Sequence, residues 1–491
     1  MRLTIVGPGG PCTGRGGTWG GRARLLAPAG TALAARRAVK RFLVLGVLCM
    51  LAGGCASRLE QTNRSELGAA EARMAPPRSQ QRGKPAHFDG SLEGYVHYAL
   101  ANSPSLRASY ADWRAATERV PQARRLPDPV FSYTYFVRSV ETRVGPQLHK
   151  FGISQAFPWP TKLTDSADAA ELAARSAQKR AEAVALAVRR RVAVAFWRLW
   201  RIQRTREVEH DQKKLIDQFA QIVKSRVEVD QATLADLSQI SLDESRIVDK
   251  LSGLDEDERS ASAALVAAVG APDGTKTPIA KQSPPLLLPA DDQKSLLTAA
   301  MSHPRVRALA LMAQSRSEQA DSAGADRYPG FVVGADYILT GPARMPNVPD
   351  SGKDPIAVML AVKLPIWSGA YGAEEAQADA ESAAFRARES AARDNAAAAL
   401  EKAESDVRDA ARRVKLYRET LVPQARVVYR STLTGYQTNR SGLANVLIAE
   451  RDLLDLRIQL IRARADHAVA WATLAEIVGR PLHPRPAGGT H

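Results

Sequence analysis

The chain has 491 residues, of which 45% are hydrophobic and 24% charged, and this balance excludes an intrinsically disordered chain. Its formal net charge of +16 would suit a nucleic-acid partner, but eight of the 68 basic residues, and no acidic residue, fall in residues 1–41. The remaining 60 basic and 52 acidic residues are spread along the rest of the chain, so no nucleic-acid-binding surface is predicted.

Residues 1–54 are predicted to be a signal peptide. A basic stretch, residues 36–41, precedes an apolar run, residues 42–54, that is too short to span a bilayer as a helix. Residues 1–35 fit no targeting pattern, and we therefore expect translation to begin at Val39 through a GTG codon.

The apolar run ends at residues 51–55, Leu-Ala-Gly-Gly-Cys, which resemble the lipobox of bacterial lipoproteins. The resemblance implies cleavage before Cys55 and a covalent lipid on its thiol. It also implies the outer membrane of a Gram-negative bacterium, because Ala56 is not Asp. Ala52 departs from the leucine usual at its position, so a plain secretory signal with a chance cysteine is the alternative. Cleavage would leave Cys55 as the single cysteine, without a disulfide.

The next segments begin a first repeat. Residues 55–90 are polar and are predicted to form an extended, lipidated tether. Residues 91–272 form the first repeat, which opens with two helices and continues with a β-hairpin, residues 130–157. Alternating aromatic and polar residues predict two strands of about eight or nine residues, joined by a loop over residues 139–149. The pattern suits transmembrane barrel strands, although a soluble hairpin would show it as well.

Two long helices complete the first repeat. Residues 162–229 contain almost no Gly or Pro, which predicts a helix on the order of 100 Å long. Residues 231–269 are predicted to run back beside it, and Gly270 and Pro272 end this second helix. A helical hairpin of this length is typical of a coiled coil or a helical barrel and excludes a globular core.

The pattern then starts again, which indicates a tandem duplication. After a linker, residues 273–290, the second repeat spans residues 291–482, with a β-hairpin at residues 331–364, and residues 483–491 form a tail. The residues Leu-Ala-Asn-Val at 443–446 correspond to Leu-Ala-Asp-Leu at 234–237, an offset of 209.

The duplication predicts the fold class. Four strands cannot close a barrel with a lumen, and open sheet edges are not tolerated in lipid. Three copies would supply twelve strands and twelve long helices. We therefore expect a mainly α-helical chain that forms a homotrimer, with a 12-stranded transmembrane β-barrel continued by a long α-helical barrel.

The chain resembles the TolC family of outer-membrane efflux proteins over nearly all of residues 91–482. The resemblance lies in the duplication, the paired hairpins, residues 152–159 (Gly-Ile-Ser-Gln-Ala-Phe-Pro-Trp) and residues 441–446 (Ser-Gly-Leu-Ala-Asn-Val). It implies a trimeric, passive exit duct that docks onto a periplasmic adaptor (a membrane fusion protein) and an inner-membrane transporter. The lipobox resembles the lipidated branch of the family, which serves drug and heavy-metal pumps of the RND type.

The sequence shows no pattern for catalysis. It has no phosphate-binding loop and no nucleophile elbow, and its 8 histidines are scattered, so we expect no enzyme, no metal site and no cofactor besides the lipid. Two other functions stay open: a coiled-coil structural lipoprotein and a periplasmic adaptor without a pore. The β-hairpins argue against the first, and the presence of two helical hairpins argues against the second.

The turns that close the helical hairpins, residues 229–234 and 436–443, are predicted to lie at one end and to gate the pore. The candidate gating residues are Asp230, Asp236, Tyr436, Asn439 and Arg440. The alternative is that Asp236 and Asn445 only satisfy backbone groups near helix starts. Pro423, without a counterpart in the first repeat, predicts that the second hairpin bends more easily and forms the inner, moving pair.

Overall fold

A computed structural model of the chain describes residues 57–74, 88–272, 278–438 and 440–486. Helix α1 (Arg58–Ala72) precedes the first repeat. The first repeat contains α2 (Leu92–Asn102), α3 (Pro104–Arg124), β1 (Val130–Thr142), β2 (Gly145–Phe157), α4 (Pro160–Glu228) and α5 (Leu234–Val269). After these come β3 (Leu287–Pro289), α6 (Gln293–Met301), α7 (Pro304–Gly324), β4 (Gly330–Thr340), β5 (Ile356–Lys363), α8 (Ser368–Leu416), α9 (Val422–Gln437), α10 (Leu443–Val478) and β6 (Pro484–Pro486).

The two β-hairpins form one antiparallel sheet in the order β1-β2-β4-β5. Its register places Tyr133 opposite Phe151, Phe151 opposite Tyr337, and Tyr337 opposite Ile356, which makes one face aromatic and branched. On the other face Lys150 pairs with Asp336 at 2.9 Å (Nζ to Oδ2). The predicted alternation is therefore present, with an apolar and a polar face.

The expected loop over residues 139–149 is wrong, because β1 and β2 each run for 13 residues and leave only a tight turn. After an irregularity that follows Tyr135, pairing resumes at Val140 and continues until Thr142 lies opposite Gly145. Gly145 has a φ of 133°, which a residue with a Cβ rarely adopts, so a glycine permits the tight turn there.

The expectation of an extended tether is wrong for residues 58–72, which form helix α1. Ser57 caps this helix by accepting a hydrogen bond from the Glu60 amide at 3.0 Å. The indole of Trp113 donates to Asn63 at 2.7 Å, and Leu67 packs against Trp113. Besides Leu67 and Asn63, polar side chains hold the helix, among them Arg64, which pairs with Glu118 at 2.7 Å. So few apolar residues make the segment hard to distinguish from a polar linker. Cys55 lies outside the described residues.

The helical hairpins dominate the chain. Helix α4 has 69 residues without a break, which corresponds to about 100 Å. Its counterpart in the second repeat is interrupted by a π-turn, Tyr417–Leu421, between α8 and α9, and Pro423 lies in the first turn of α9. A proline lacks the amide hydrogen that a continuous helix needs, which accounts for the interruption.

Short elements form a belt against one side of the long helices. This belt consists of α2, α6 and the two-stranded sheet of β3 and β6. Tyr95 of α2 packs against Phe196 of α4, and Leu296 of α6 packs in a cluster with Leu474 of α10. His467 of α10 is buried and contacts the carbonyl oxygen of Leu287 through Nε2 at 2.8 Å. Within the described ranges, no helix combines the length and the apolar character needed to cross a membrane.

Candidate functional site at the helical tips

The turns that end the two helical hairpins lie together, as predicted. A hydrophobic cluster, called here the tip cluster, contains residues of both hairpins. Its buried members are Ile216, Phe219, Val223, Ile240, Ile247, Leu251, Tyr436, Leu443, Val446 and Leu447. The two turns are thus joined by apolar burial, and their relative position is set by packing.

Asp230 lies in the turn between α4 and α5 with a left-handed backbone, φ 60°. The turn is closed by the Asp230 amide, which donates to the Val227 carbonyl at 3.1 Å, and by the Gln231 amide, which donates to the Arg226 carbonyl at 2.8 Å. Aspartate is among the few residues that adopt this conformation at low cost. Its side chain is exposed and makes no ion pair with the described residues, so it is free to meet another chain.

Asp236 has a structural role that the sequence analysis had given as the alternative. It forms a capping box with Thr233: the Thr233 amide donates to Asp236 Oδ2 at 2.9 Å, and the Asp236 amide donates to Thr233 Oγ1 at 3.1 Å. This satisfies two backbone amides at the start of α5. Asn445 has no such role, because Gly442 is the N-cap of α10 and the Asn445 side chain donates to Ser441 Oγ at 3.4 Å.

Arg440 lies in the turn between α9 and α10, which is folded tightly onto Gly435. The amides of Arg440 and Ser441 both donate to the Gly435 carbonyl, at 2.7 and 3.2 Å. The Arg440 side chain is exposed, and no ion pair joins it to Asp230 or Asp236 among the described residues. Asn439, the remaining candidate in this turn, lies outside the described residues.

Tyr436 is only 8% exposed and belongs to the tip cluster. The guanidinium carbon of Arg226, in the last turn of α4, lies 4.7 Å from the centroid of its ring, which is a cation–π contact. This contact joins the first hairpin to the second. Sequence reasoning missed Arg226, because a basic residue near a helix C-terminus is common and its aromatic partner lies 210 residues away.

A buried acid cluster lies between α4, α5 and α10. Glu209 and Asp243 are buried; Lys250 Nζ lies 2.5 Å from Glu209 Oε1, and Arg451 Nη2 lies 2.9 Å from Asp243 Oδ1. Glu450 is also buried, and this burial raises the pKa of its carboxyl to about 7 against a hydrogen bond from Gln212 that lowers it. The Asp243–Arg451 pair connects the hairpins, and no sequence motif had indicated it.

The tip site offers hydrogen bonds, ion pairs and apolar contacts and no catalytic arrangement. Among the described residues, no three His, Cys, Asp or Glu side chains lie together so that they could hold a metal ion. The groups present can hold the hairpins together and can release them.

A chain of this kind, with paired β-hairpins and long helical hairpins closed at one tip, defines an outer-membrane duct. The family model of the outer membrane efflux protein matches residues 95–271 and 297–480, and the chain belongs to that family. Its function is accordingly that of an outer-membrane channel component of an efflux system. A search among curated protein sequences finds no match.

Solved structures of outer-membrane channels share the fold. VceC of Vibrio cholerae is 20% identical, with a TM-score of 0.65 over 79% of this chain and 96% of that chain. MtrE of Neisseria gonorrhoeae, in its open state, is 15% identical, with a TM-score of 0.64 over 79% and 89%. CmeC of Campylobacter jejuni is 12% identical, with a TM-score of 0.64 over 79% and 85%. The predicted mainly α-helical fold, with its β-hairpins and long helices, and the resemblance to the TolC family are confirmed, while the homotrimer stays a prediction.

Proposed function

We propose that three copies of this chain assemble into a passive exit duct. It would receive its substrates from a periplasmic adaptor and an inner-membrane transporter of the RND type. The observation that supports the assembly is the open sheet: β1 and β5 are edge strands, and a lipid-facing sheet cannot leave its edges unpaired. Pairing of β5 with β1 of the next copy removes every edge. The two other functions considered, a structural lipoprotein and an adaptor, lie outside the family to which the chain belongs.

The trimer is testable by mass. Purified protein in detergent is expected to have three times the protomer mass after the detergent contribution is subtracted, and to give discrete conductance steps in a planar bilayer. The physical reason is edge closure, which needs the third copy. A stable monomer that keeps its strand signal in circular dichroism would contradict the proposal.

We also propose that Cys55 carries a lipid that lies in the outer membrane. Helix α1 supports this by its direction. Ser57, the N-cap of α1, donates to Glu171 at 3.0 Å, and Glu171 lies near the end of α4 that follows strand β2. Further along, Gln178 donates to Glu66 at 2.6 Å, so α1 runs away from the sheet. The start of α1 therefore lies nearer to the sheet than its end does, which is the direction that an anchor at Cys55 requires.

Labelling of cells with a radioactive fatty acid tests the anchor. The wild-type protein is expected to be labelled and Cys55→Ser to lose the label, since serine has no thiol to take the lipid. The sheet supplies its own apolar face, so the variant is still expected in the outer membrane, where its heat-stable trimer serves as the control. Equal labelling of both proteins would disprove lipidation at Cys55.

A further inference from the structure

The layer of long helices has two distinct sides. Helix α1 contacts α4 at Glu171 and Gln178. At about 100° per residue, Ala173 and Arg180 lie roughly 140–180° from these two positions, on the opposite side of α4. The same holds for α10: Leu474 packs under the belt, and Glu476 lies about 200° away from it. Among the described residues, α1 and the belt thus pack against one side of the layer. The opposite side, called here the bare side, carries Ala173, Arg180 and Glu476.

The bare side faces the lumen in the assembly proposed above. A segment that leads from a lipid anchor must lie outside a closed barrel, so α1 marks the outer side. The bare side carries a groove of about 730 Å³ between α4, α7, α8 and α10, a volume in the range of small-molecule sites. The large apolar side chains that line it are Val306, Leu309, Met312, Phe385 and Ile477.

Three arginines surround this groove: Arg180 of α4, Arg305 of α7 and Arg388 of α8. All three are exposed, and none has a carboxylate partner within 4 Å among the described residues. Arg388 lies over the Phe385 ring at 4.9 Å, which leaves its donors open. The one acidic residue of the lining, Glu476, is already paired with Arg190.

His303, the histidine of the lining, adds no charge to the groove at pH 7. Burial lowers the pKa of His303, so its imidazole is neutral at pH 7. Three unpaired positive charges beside an apolar floor therefore remain. Guanidinium groups bind sulfonate and carboxylate oxygens strongly, while an apolar floor takes the rest of an amphiphilic molecule.

We propose that this groove is a lumen-side binding site for amphiphilic organic anions, and that such anions are a substrate class of the duct. This inference rests on the proposed function for its placement in the lumen. The site holds the apolar body against Phe385 and Met312 and the anionic group between the arginines. Three copies around the lumen form a ring of equivalent sites through which an anion passes.

The test measures binding of two probes of the same ring system to purified trimer in a neutral detergent. The probes are 2-naphthalenesulfonate and uncharged 2-naphthalenemethanol, and isothermal titration gives both affinities. The triple variant Arg180→Gln, Arg305→Gln, Arg388→Gln is expected to weaken binding of the sulfonate by about tenfold or more, with little effect on the alcohol. Equal sulfonate affinity in wild type and triple variant would overturn the proposal.

The matched control is Arg307→Gln. It removes the same charge from the same helix, but Arg307 is exposed about 200° away from Arg305, on the outer side. Its sulfonate affinity is expected to stay within about twofold of wild type, while Arg305→Gln alone weakens binding. If Arg307→Gln weakens binding as much as Arg305→Gln, the effect is one of net charge and the site is disproved.

Bilayer recordings separate this inference from the proposed function. The sulfonate is expected to block current through wild-type channels and to block the triple variant less. The reversal potential of the triple variant in a KCl gradient is expected to shift toward cation preference. Protein that binds the sulfonate but never conducts would contradict the duct and leave the site standing, whereas channels that conduct with identical block in both proteins would contradict the site.

Discussion

Tyr436→Ala is expected to raise the open probability of the channel in a planar bilayer while the trimer stays intact. Tyr436 is buried in the tip cluster and lies under the guanidinium of Arg226, so its ring holds the second hairpin to the first. Truncation of a buried aromatic side chain costs on the order of 3 kcal/mol, and here that cost falls on the contact between the hairpins. The closed tip is therefore destabilised relative to an open one.

Two variants divide this effect between packing and charge. Tyr436→Phe keeps the ring and is expected to behave as wild type. Arg226→Gln removes the cation above the ring and is expected to give an intermediate increase, since a partly buried cation–π contact contributes about 0.5–2 kcal/mol. Single-channel recording gives the open probability, and detergent mass confirms the trimer. A large effect of Arg226→Gln without an effect of Tyr436→Ala would contradict the ring as the joining element.

Asp230 and Arg440, the exposed candidates at the tip, are expected to act through contacts with other chains, unlike the buried Tyr436. The side chains of Asp230 and Arg440 make no ion pair among the described residues, so Asp230→Ala and Arg440→Ala affect gating only through another protomer or an adaptor. If these variants and Tyr436→Ala all conduct as wild type, and substitutions in residues 341–355 change conductance instead, the gate lies at the outer mouth. The tip assignment would then be wrong.

Sequence reasoning worked where a feature repeats along the chain. The long helices and the alternating strands depend on residue periodicity, which can be recognised without knowledge of distant partners. Because the chain is duplicated, each of these elements was predicted independently in both repeats. Pro423 was also recognisable from the sequence, because a proline interrupts a helix through its own backbone chemistry and needs no distant partner. The resulting π-turn at Tyr417–Leu421 gives the second hairpin a break that α4 lacks; whether this hairpin moves stays a prediction.

Sequence reasoning failed where a feature depends on a pair of distant residues. The contact of Arg226 with Tyr436, the pairing of Asp243 with Arg451 and the docking of α1 on Trp113 each join side chains far apart in sequence. No local pattern distinguishes such residues from ordinary polar ones on a helix surface. The length of β1 was missed for a related reason, since pairing with β2 extends it past the point where alternation ends.

Glu450 is expected to make the stability of the helical hairpins depend on pH between about 4.5 and 7. Burial raises the pKa of its carboxyl from 4.5 to about 7 in the folded protein. This value already includes the charges of Asp243 and Glu209, which raise the pKa, and that of Arg451, which lowers it. Lys250 pairs with the neighbouring Glu209. In this window the folded state binds more protons than the unfolded state, so stability falls as pH rises. The stabilisation is fully present below about 4.5 and is lost by about 7.

The expected loss between pH 5 and pH 8 is about 2–3 kcal/mol per chain, because the carboxyl pKa is about 7 in the folded protein and about 4.5 in the unfolded chain. Glu450→Gln keeps the shape of the side chain and removes its titration, so the melting temperature of the trimer should depend less on pH. The variant should melt higher than wild type at pH 8, because no charge is then buried at this position. Glu228→Gln, an exposed substitution at the end of α4, should have the melting temperature of wild type at both pH 5 and pH 8. An equally steep pH dependence in wild type and Glu450→Gln would show that another group causes the pH dependence.

Glu450 lies between the hairpins that must separate when the tip opens. Because the packing of these hairpins is more stable in acid, the channel is also expected to open less often at pH 5 than at pH 8.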